Sequence, residues 1–375
     1  MEKIGKYCAI LSGYAFDSKL FNTEERGKPL IRIRDVKNGY TSTYTQEKYD
    51  DKYIIKKDDL LVGMDGEFNC GKWEGEEALL NQRVCKIKTD NKVLLQEYLF
   101  YILKIELKKI EQRTSYVTVK HLSVKQINNI EITIPTLEVQ FRIVKILNQI
   151  SSCIKYRKQQ ILDLDLLVKS QFVEMFGDPV SNSMEWRMST LPELGEFGRG
   201  VSKQRPRNAP ELLGGKYPLI QTGDIASSQL YIKEYTSTYS ELGFQQSKMW
   251  KKGTLCITIA ANIAKTAILE FDACFPDSVV GFNAISETNN IFMHYWFTFF
   301  QKILERQAPE SAQKNINLKI LSELKVITPP IDLQNQFATF VQQIDKSKLA
   351  VQKSLEELET LKQALMQQYF GRKEV

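Results

Sequence analysis

The sequence predicts a duplicated, mixed α/β fold. Two globular α/β domains are joined to two long helices, which pack as an antiparallel coiled coil with pseudo-two-fold symmetry. Three observations carry this expectation. The second half of the chain repeats the first at an offset of about 194 residues. Each copy opens with short apolar runs bounded by glycine and charge, the mark of strands in a mixed fold. Each copy closes with a long segment free of proline and glycine that carries a sustained heptad pattern.

The repeat is read directly. VKHLSVKQINNIEITIPTLEVQ from Val119 aligns without a gap to QKNINLKILSELKVITPPIDLQ from Gln313. Pro135 meets Pro329, Glu138 meets Asp332 and Gln140 meets Gln334. The register continues to Phe176-Gly177 against Phe370-Gly371. Upstream, Pro29-Leu30-Ile31 resembles Pro218-Leu219-Ile220, and the pentapeptide YTSTY occurs at Tyr40 and again at Tyr235. Units of this size are too large for a solenoid, so the chain reads as two copies of a domain plus an appendage.

Within each copy the elements follow in order. DLLVGM (Asp59 to Met64) and TLCITIA (Thr254 to Ala260) read as strands. QEYLFYILKIELKKIEQ from Gln96 and NIFMHYWFTFFQKILERQ from Asn290 carry helical periodicity, with their aromatics directed to a core. Pro135 and Pro329-Pro330 stop the preceding strand, since proline has no N–H to give a sheet. The heptad positions then run Ile143, Leu147, Ile150, Ile154, Arg157, Ile161, Leu164, Val168, Gln171 and Met175. In the second copy they run Phe337, Val341, Ile344, Lys348, Val351, Leu355, Leu358, Lys362, Leu365 and Tyr369. Helices of roughly 40 residues are about 60 Å long, and the simplest way to bury both stripes is against each other. Gly177 reads as a C-cap and Pro179 as a stop. The expected divisions are 1–136, 137–178, 179–330 and 331–375: domain, helix, domain, helix.

Composition narrows the function. The chain has 375 residues, 43% hydrophobic and 26% charged, as expected of a chain that buries real cores. No apolar run is long enough to span a bilayer, and MEKIGKYCAIL lacks a signal-peptide core, so a cytoplasmic protein is expected. The six cysteines form no CxxC pair and there are only two histidines, which disfavours metal centres and a His-based triad. The net charge of +6 is a mild bias toward polyanions.

No catalytic constellation stands out. Gly66 to Lys72 fits GxxxxGK, but Trp73 stands where Mg²⁺ binding needs Ser or Thr, and Glu74 and Glu76 would repel a triphosphate. Thr328-Pro329-Pro330-Ile331 lacks the polar lead and the aromatic of an amino-methyltransferase motif. A nuclease centre forced from Pro276-Asp277 and scattered acid-x-Lys triplets carries no weight, since such triplets abound in a lysine-rich chain. What remains is basic and loop-borne. Arg199 to Asn208, with Lys203, Gln204, Arg205 and Arg207, has four cations and no acid. Arg and Lys suit phosphates and guanine edges, and Gln and Asn suit adenine edges; a merely solvated basic loop is the equal alternative. Asn69/Lys72 and Asn262/Lys265 lie on loops after equivalent strands. Lys120-His121 and Lys314-Asn315 pair at one offset before a short helix, where helix-start N–H groups beside a lysine suit a phosphate clamp.

This pattern resembles the specificity (S) subunit of type I restriction–modification systems. The carrying residues are Pro135-Thr-Leu-Glu138-Val-Gln140 with Phe141-Arg142-Ile143, and Pro329-Pro330-Ile-Asp332-Leu-Gln334. Also similar are Ser12-Gly13-Tyr14-Ala15-Phe16, Pro29-Leu30-Ile31-Arg32, Ala78 to Val84 and Phe176-Gly177-Asp178-Pro179. One departure is Thr136, where a second proline is expected. The resemblance covers essentially the whole chain. It implies that each globular part is a target recognition domain reading half of a split, asymmetric double-stranded DNA site. It implies that the paired helices, through residues such as Ile143, Leu147, Ile150, Ile161, Leu164, Phe337, Val341, Ile344, Leu355 and Leu358, set the spacing and dock two methyltransferase (M) subunits. Those partners bind S-adenosylmethionine, restriction/translocase (R) subunits join, and the chain itself has no cofactor and no catalysis. The DNA-facing residues expected are Arg32, Arg34, Asn69, Lys72, Trp73, Lys120 and His121 in the first copy. In the second they are Lys203, Gln204, Arg205, Arg207, Asn262, Lys265, Lys314 and Asn315. A coiled-coil scaffold that binds no DNA is the rival reading.

Overall fold

The computed structural model describes residues 1–113, 120–204, 206–260, 263–307 and 316–371. The chain forms two units, one of residues 1–157 with 354–375, the other of residues 158–353. Each therefore holds one globular part, a half of the first long helix (Leu137–Phe176) and a half of the second (Ile331–Phe370).

In the first unit an antiparallel sheet has the order Cys8–Ser12, Val84–Thr89, Leu60–Gly63, Cys70–Lys72. Leu60–Gly63 is buried along its whole length. The reason is the two-residue period of a strand. Leu60 and Val62 face a core with Tyr98, Leu99 and Leu103 of the helix Gln96–Arg113. Leu61 faces the opposite core with Ile31, Trp73 and Leu80. That second core is roofed by a sheet of five short strands, in which Lys28–Ile31 runs parallel to Ala78–Leu80.

The second unit repeats this arrangement. Its sheet has the order Gly195–Arg199, Val279–Ala284, Leu255–Thr258, Thr266–Leu269, with Tyr231–Ile232 added at the edge in parallel. Leu255 and Ile257 face one core and Cys256 faces another. The helix Asn290–Gln307 stands where Gln96–Arg113 stands in the first unit. Both YTSTY segments end in strands paired antiparallel to the Pro-Leu-Ile strands: Tyr44 lies opposite Pro29, and Thr238 opposite Pro218.

All of the heptad positions named above are buried or half-buried. In the second unit Val168, Phe172 and Phe176 pack with Phe337, Ala338 and Val341, and Lys348 Nζ donates to Asp165 Oδ1 at 2.5 Å. Rising numbers on one helix meet falling numbers on the other, so this pair is antiparallel. In the first unit Ile143, Val144 and Leu147 share a core with Leu365, Met366 and Phe370, again antiparallel. The first long helix ends at Gly177, whose φ of +74° suits only glycine well and whose N–H reaches Val173 O at 2.8 Å.

The glutamine of each repeated motif is a fully buried clamp. Gln140 Nε2 donates to Val93 O and Pro135 O, both at 2.8 Å, and its Oε1 accepts from Leu95 N at 2.9 Å. Gln334 Nε2 donates to Glu287 O and Pro329 O, and its Oε1 accepts from Thr288 Oγ1 and Asn289 N. One amide thus ties the start of the long helix to the proline before it and to the loop that leads into the domain's own helix.

Candidate nucleic-acid interface

At one end of each sheet three chain segments meet in the same backbone geometry. In the first unit Met64 N donates to Arg83 O at 2.9 Å and Leu122 N donates to Met64 O at 2.7 Å. In the second, Ile259 N donates to Ser278 O at 3.0 Å and Ile316 N to Ile259 O at 2.9 Å. These are equivalent positions of the repeat. The junction joins the hairpin loop, the turn before the central strand and the segment before a short helix. A glycine lets a further strand cross each junction. A Cβ on Gly13 would lie 2.1 Å from Asn81 O, and one on Gly200 would lie 2.4 Å from the equivalent Pro276 O.

The side chains at the two junctions differ. In the first unit Asp65 Oδ1 meets His121 Nδ1 at 2.5 Å, and Asp65 Oδ2 meets Arg83 Nε at 3.1 Å. Beside a carboxylate, Nδ1 carries the proton and donates. Gly66 N donates to Lys120 O, while Lys37 pairs with Glu67 at 2.6 Å and so ties residues 32–37 to the same loop. Arg34 Nη2 donates to Thr43 Oγ1 within that neighbourhood, and Arg32 is exposed. His121, the Lys120 carbonyl and Asn69, whose Nδ2 donates to Glu67 O, therefore meet at one loop, and Arg32 and Arg34 lie on the segment that Lys37 ties to it.

Two other first-copy residues lie elsewhere. Trp73 is only 1% exposed, and its Nε1 donates to Glu76 O, so it anchors the core and offers no face to a ligand. Lys72 pairs with Glu97 and lies over the Phe100 ring, directed to the helix Gln96–Arg113. At each short helix expected to hold a phosphate, one N–H already has a partner. Gln126 N, at the start of the short helix Val124–Asn128, is capped by Ser123 Oγ, and Ile320 N is capped by Asn317 Oδ1. In each helix the donor taken is the third N–H. Lys120 Nζ donates instead to Glu111 O near the end of the domain helix, where a cation is favoured. The GxxxxGK stretch leads into the strand Cys70–Lys72, not into a helix, so the anion site of a P-loop is not formed.

In the second unit the basic loop reaches the junction. Arg207 pairs with Asp277 of the turn, and the backbone N–H groups of Lys203 and Gln204 both donate to Gln246 Oε1. Lys265 is exposed on the hairpin whose loop begins at Ile259, and its N–H donates to Thr258 Oγ1. Arg205, Asn262, Lys314 and Asn315 lie outside the described residues. A cavity of about 380 Å³ elsewhere in this unit is lined by Asp165, Asp345, Lys348, His294 and Tyr295. Burial holds His294 down to about 4, with Nδ1 2.9 Å from Thr266 Oγ1. No cluster of three or more His, Cys, Asp or Glu suited to a metal occurs among the described residues, and no described helix is long and apolar enough to cross a membrane.

Sequence reading missed Asp65, Arg83, Gln246 and Asp277. Arg83 lies one residue before a strand whose partner in the repeat is identifiable, so its place beside the hairpin loop was accessible from alignment of the two copies. The others depend on contacts across distant loops.

The chain is similar to known proteins along most of its length. A family model described as the type I restriction modification DNA specificity domain matches residues 1–165 and again 184–360. The EcoBI type I restriction enzyme specificity subunit of Escherichia coli is 29% identical over 96% of this chain and 83% of that protein. The MjaVIII specificity subunit of Methanocaldococcus jannaschii is 22% identical over 90% of this chain and 87% of its own. Among solved structures, the S subunit of a type I restriction-modification system from M. genitalium matches with a TM-score of 0.60. That match is 16% identical and covers 99% of this chain and 96% of the other. A chain from a structural study of type I R-M complex assembly matches with a TM-score of 0.59 at 16% identity, over 98% and 96% of the two chains.

Proposed function

Since this chain belongs to the type I restriction modification DNA specificity family, and the family domain occurs in it twice, we propose that its two units read two different halves of one split DNA target. The chain is a DNA specificity subunit. The observation that carries the asymmetric reading is the duplicated junction. The backbone hydrogen bonds recur at equivalent positions, yet Asp65 and Arg83 in the first unit are replaced by Ala260 and Ser278 in the second. A conserved scaffold with exchanged donors and acceptors is what reading two different base sequences requires.

In this reading the chain performs no chemistry. It binds double-stranded DNA and positions two M subunits, which use S-adenosylmethionine, and the R subunits that join them, in the cytoplasm. The half-buried and buried stripes of the long helices hold the units' helix pairs together, and the outer faces remain for partners. A DNA-free scaffold would leave the varied polar junctions without a role.

The test is to map methylated adenines in DNA from cells carrying the complete system. Two short, different motifs separated by a fixed gap are expected. A single continuous motif, or two identical halves, would overturn the proposal. Binding by the assembled complex should also weaken steeply with salt, since each phosphate neutralised releases counterions.

A further inference from the structure

We infer that Arg83 reads a guanine in the half-site of the first unit, and that Asp65 is the positioning residue that aims it. This deepens the proposed function and rests on it. Arg83 was not among the residues expected from sequence to face DNA.

The geometry is specific. Arg83 sits on the turn between Ala78–Leu80 and Val84–Thr89, with its carbonyl locked by Met64 N. Its side chain is 53% exposed, whereas Asp65 is 20% exposed. Asp65 engages Arg83 through Nε at 3.1 Å. Among the described residues the two terminal guanidinium nitrogens donate no hydrogen bond. The closest approach of this ion pair is at Nε, which leaves the terminal fork free of any described partner. That fork matches the paired acceptors O6 and N7 of guanine in the major groove. A lysine at this place would supply charge without the fork.

Asp65 is itself fixed. His121 Nδ1 occupies its other oxygen, and the flanking backbone is bonded to Lys120 O and Leu122 N. An exposed ion pair of this kind adds little to stability, about 0–1 kcal/mol. A carboxylate near DNA also repels phosphate. The pair therefore makes sense as aim and not as glue. The second unit keeps the junction's backbone without either residue, so the same guanine preference is not expected there.

The experiment compares methylation maps and DNA affinities of the assembled complex carrying Arg83→Ala, Arg83→Lys or Asp65→Ala. Arg83→Ala and Arg83→Lys should both relax one guanine position in one half-site, by about 10- to 100-fold in preference, and leave the other half-site unchanged. Asp65→Ala should lower the same preference while raising affinity for unrelated DNA, opposite movements that a purely structural role does not produce. Equal weakening on all sequences, with the base preference intact and the salt slope reduced by about one, would make Arg83 a phosphate contact and overturn the inference. An unchanged map in all three variants would overturn it as well. Thermal unfolding of each variant identifies any that fail to fold, and Arg83→Lys keeps the charge should Arg83→Ala do so. If the unaltered complex shows no split target, the proposed function itself fails, a result separable from a split target whose guanine is indifferent to Arg83.

Discussion

Replacing Gln140 by leucine should destabilise the first unit by about 3 kcal/mol. The magnitude follows from what the amide satisfies. Gln140 is 0% exposed, and it partners Leu95 N, Val93 O and Pro135 O at 2.8–2.9 Å. Leucine fills similar space but leaves one N–H and two carbonyls unpaired. A buried donor stripped of its partner costs about 1–3 kcal/mol, and a carbonyl with a second lone pair tolerates the loss better. A total near 3 kcal/mol lowers the melting temperature by roughly 6–12 °C for a unit of this size. Gln334→Leu should do the same to the second unit, where Thr288 Oγ1, Asn289 N, Glu287 O and Pro329 O lose their partner. The exposed Gln343→Ala is the control and should stay within about 0.5 kcal/mol. Differential scanning calorimetry on the full chain reads all three. A loss below about 1 kcal/mol for both leucine variants would refute the claim that these amides clamp helix to domain.

His294 supplies a pH test. Its folded value is held to about 4 against 6.5 when free, so the unfolded chain takes up the proton first as pH falls. Stability is complete above pH 6.5 and declines between 6.5 and 4, by about 3 kcal/mol at most; urea unfolding of His294→Gln should show a flatter dependence in that window than the parent. The Lys348–Asp165 pair should be asymmetric to mutation. Lys348 is 7% exposed and Asp165 50%, so Asp165→Ala strands a buried charge and should cost about 2 kcal/mol, whereas Lys348→Met should stay within about 1 kcal/mol; equal losses in urea midpoint would contradict this. Gly13→Ala and Gly200→Ala would each drive a Cβ into carbonyl oxygens of the chain beneath. Each should cost about 2 kcal/mol or more in urea unfolding, and a neutral outcome would mean that the crossing strand shifts without penalty.

Parts of the fold were legible because they are local. The heptad steps from Ile143 to Met175 and from Phe337 to Tyr369 mark the inward faces, since a helix sets its faces by spacing alone. Pro135 and Gly177 bound the first long helix for stereochemical reasons that need no tertiary knowledge. The motif glutamines were visible as a repeat, but their meaning was not. Nothing in the letters says that Gln140 reaches Val93 and Leu95. The interface residues were legible only in kind. Lys72 and Trp73 have the composition of a nucleic-acid contact, yet one faces Glu97 and the other fills the core. A strand alternates its faces, and a single residue of register decides which side chain is outward.

The sequence by itself determined the duplication, the mixed α/β class, the inward stripe of both long helices and membership of a DNA-specificity family. These follow from periodicity and motif order along the chain. Tertiary structure alone decided that Asp65, Arg83 and His121 converge, that Arg207 meets Asp277, and that the third N–H of each short helix is already capped. Such contacts join loops far apart in sequence. Their geometry is set by strand register and by which backbone groups have already been satisfied, and neither leaves a periodic trace in the order of residues.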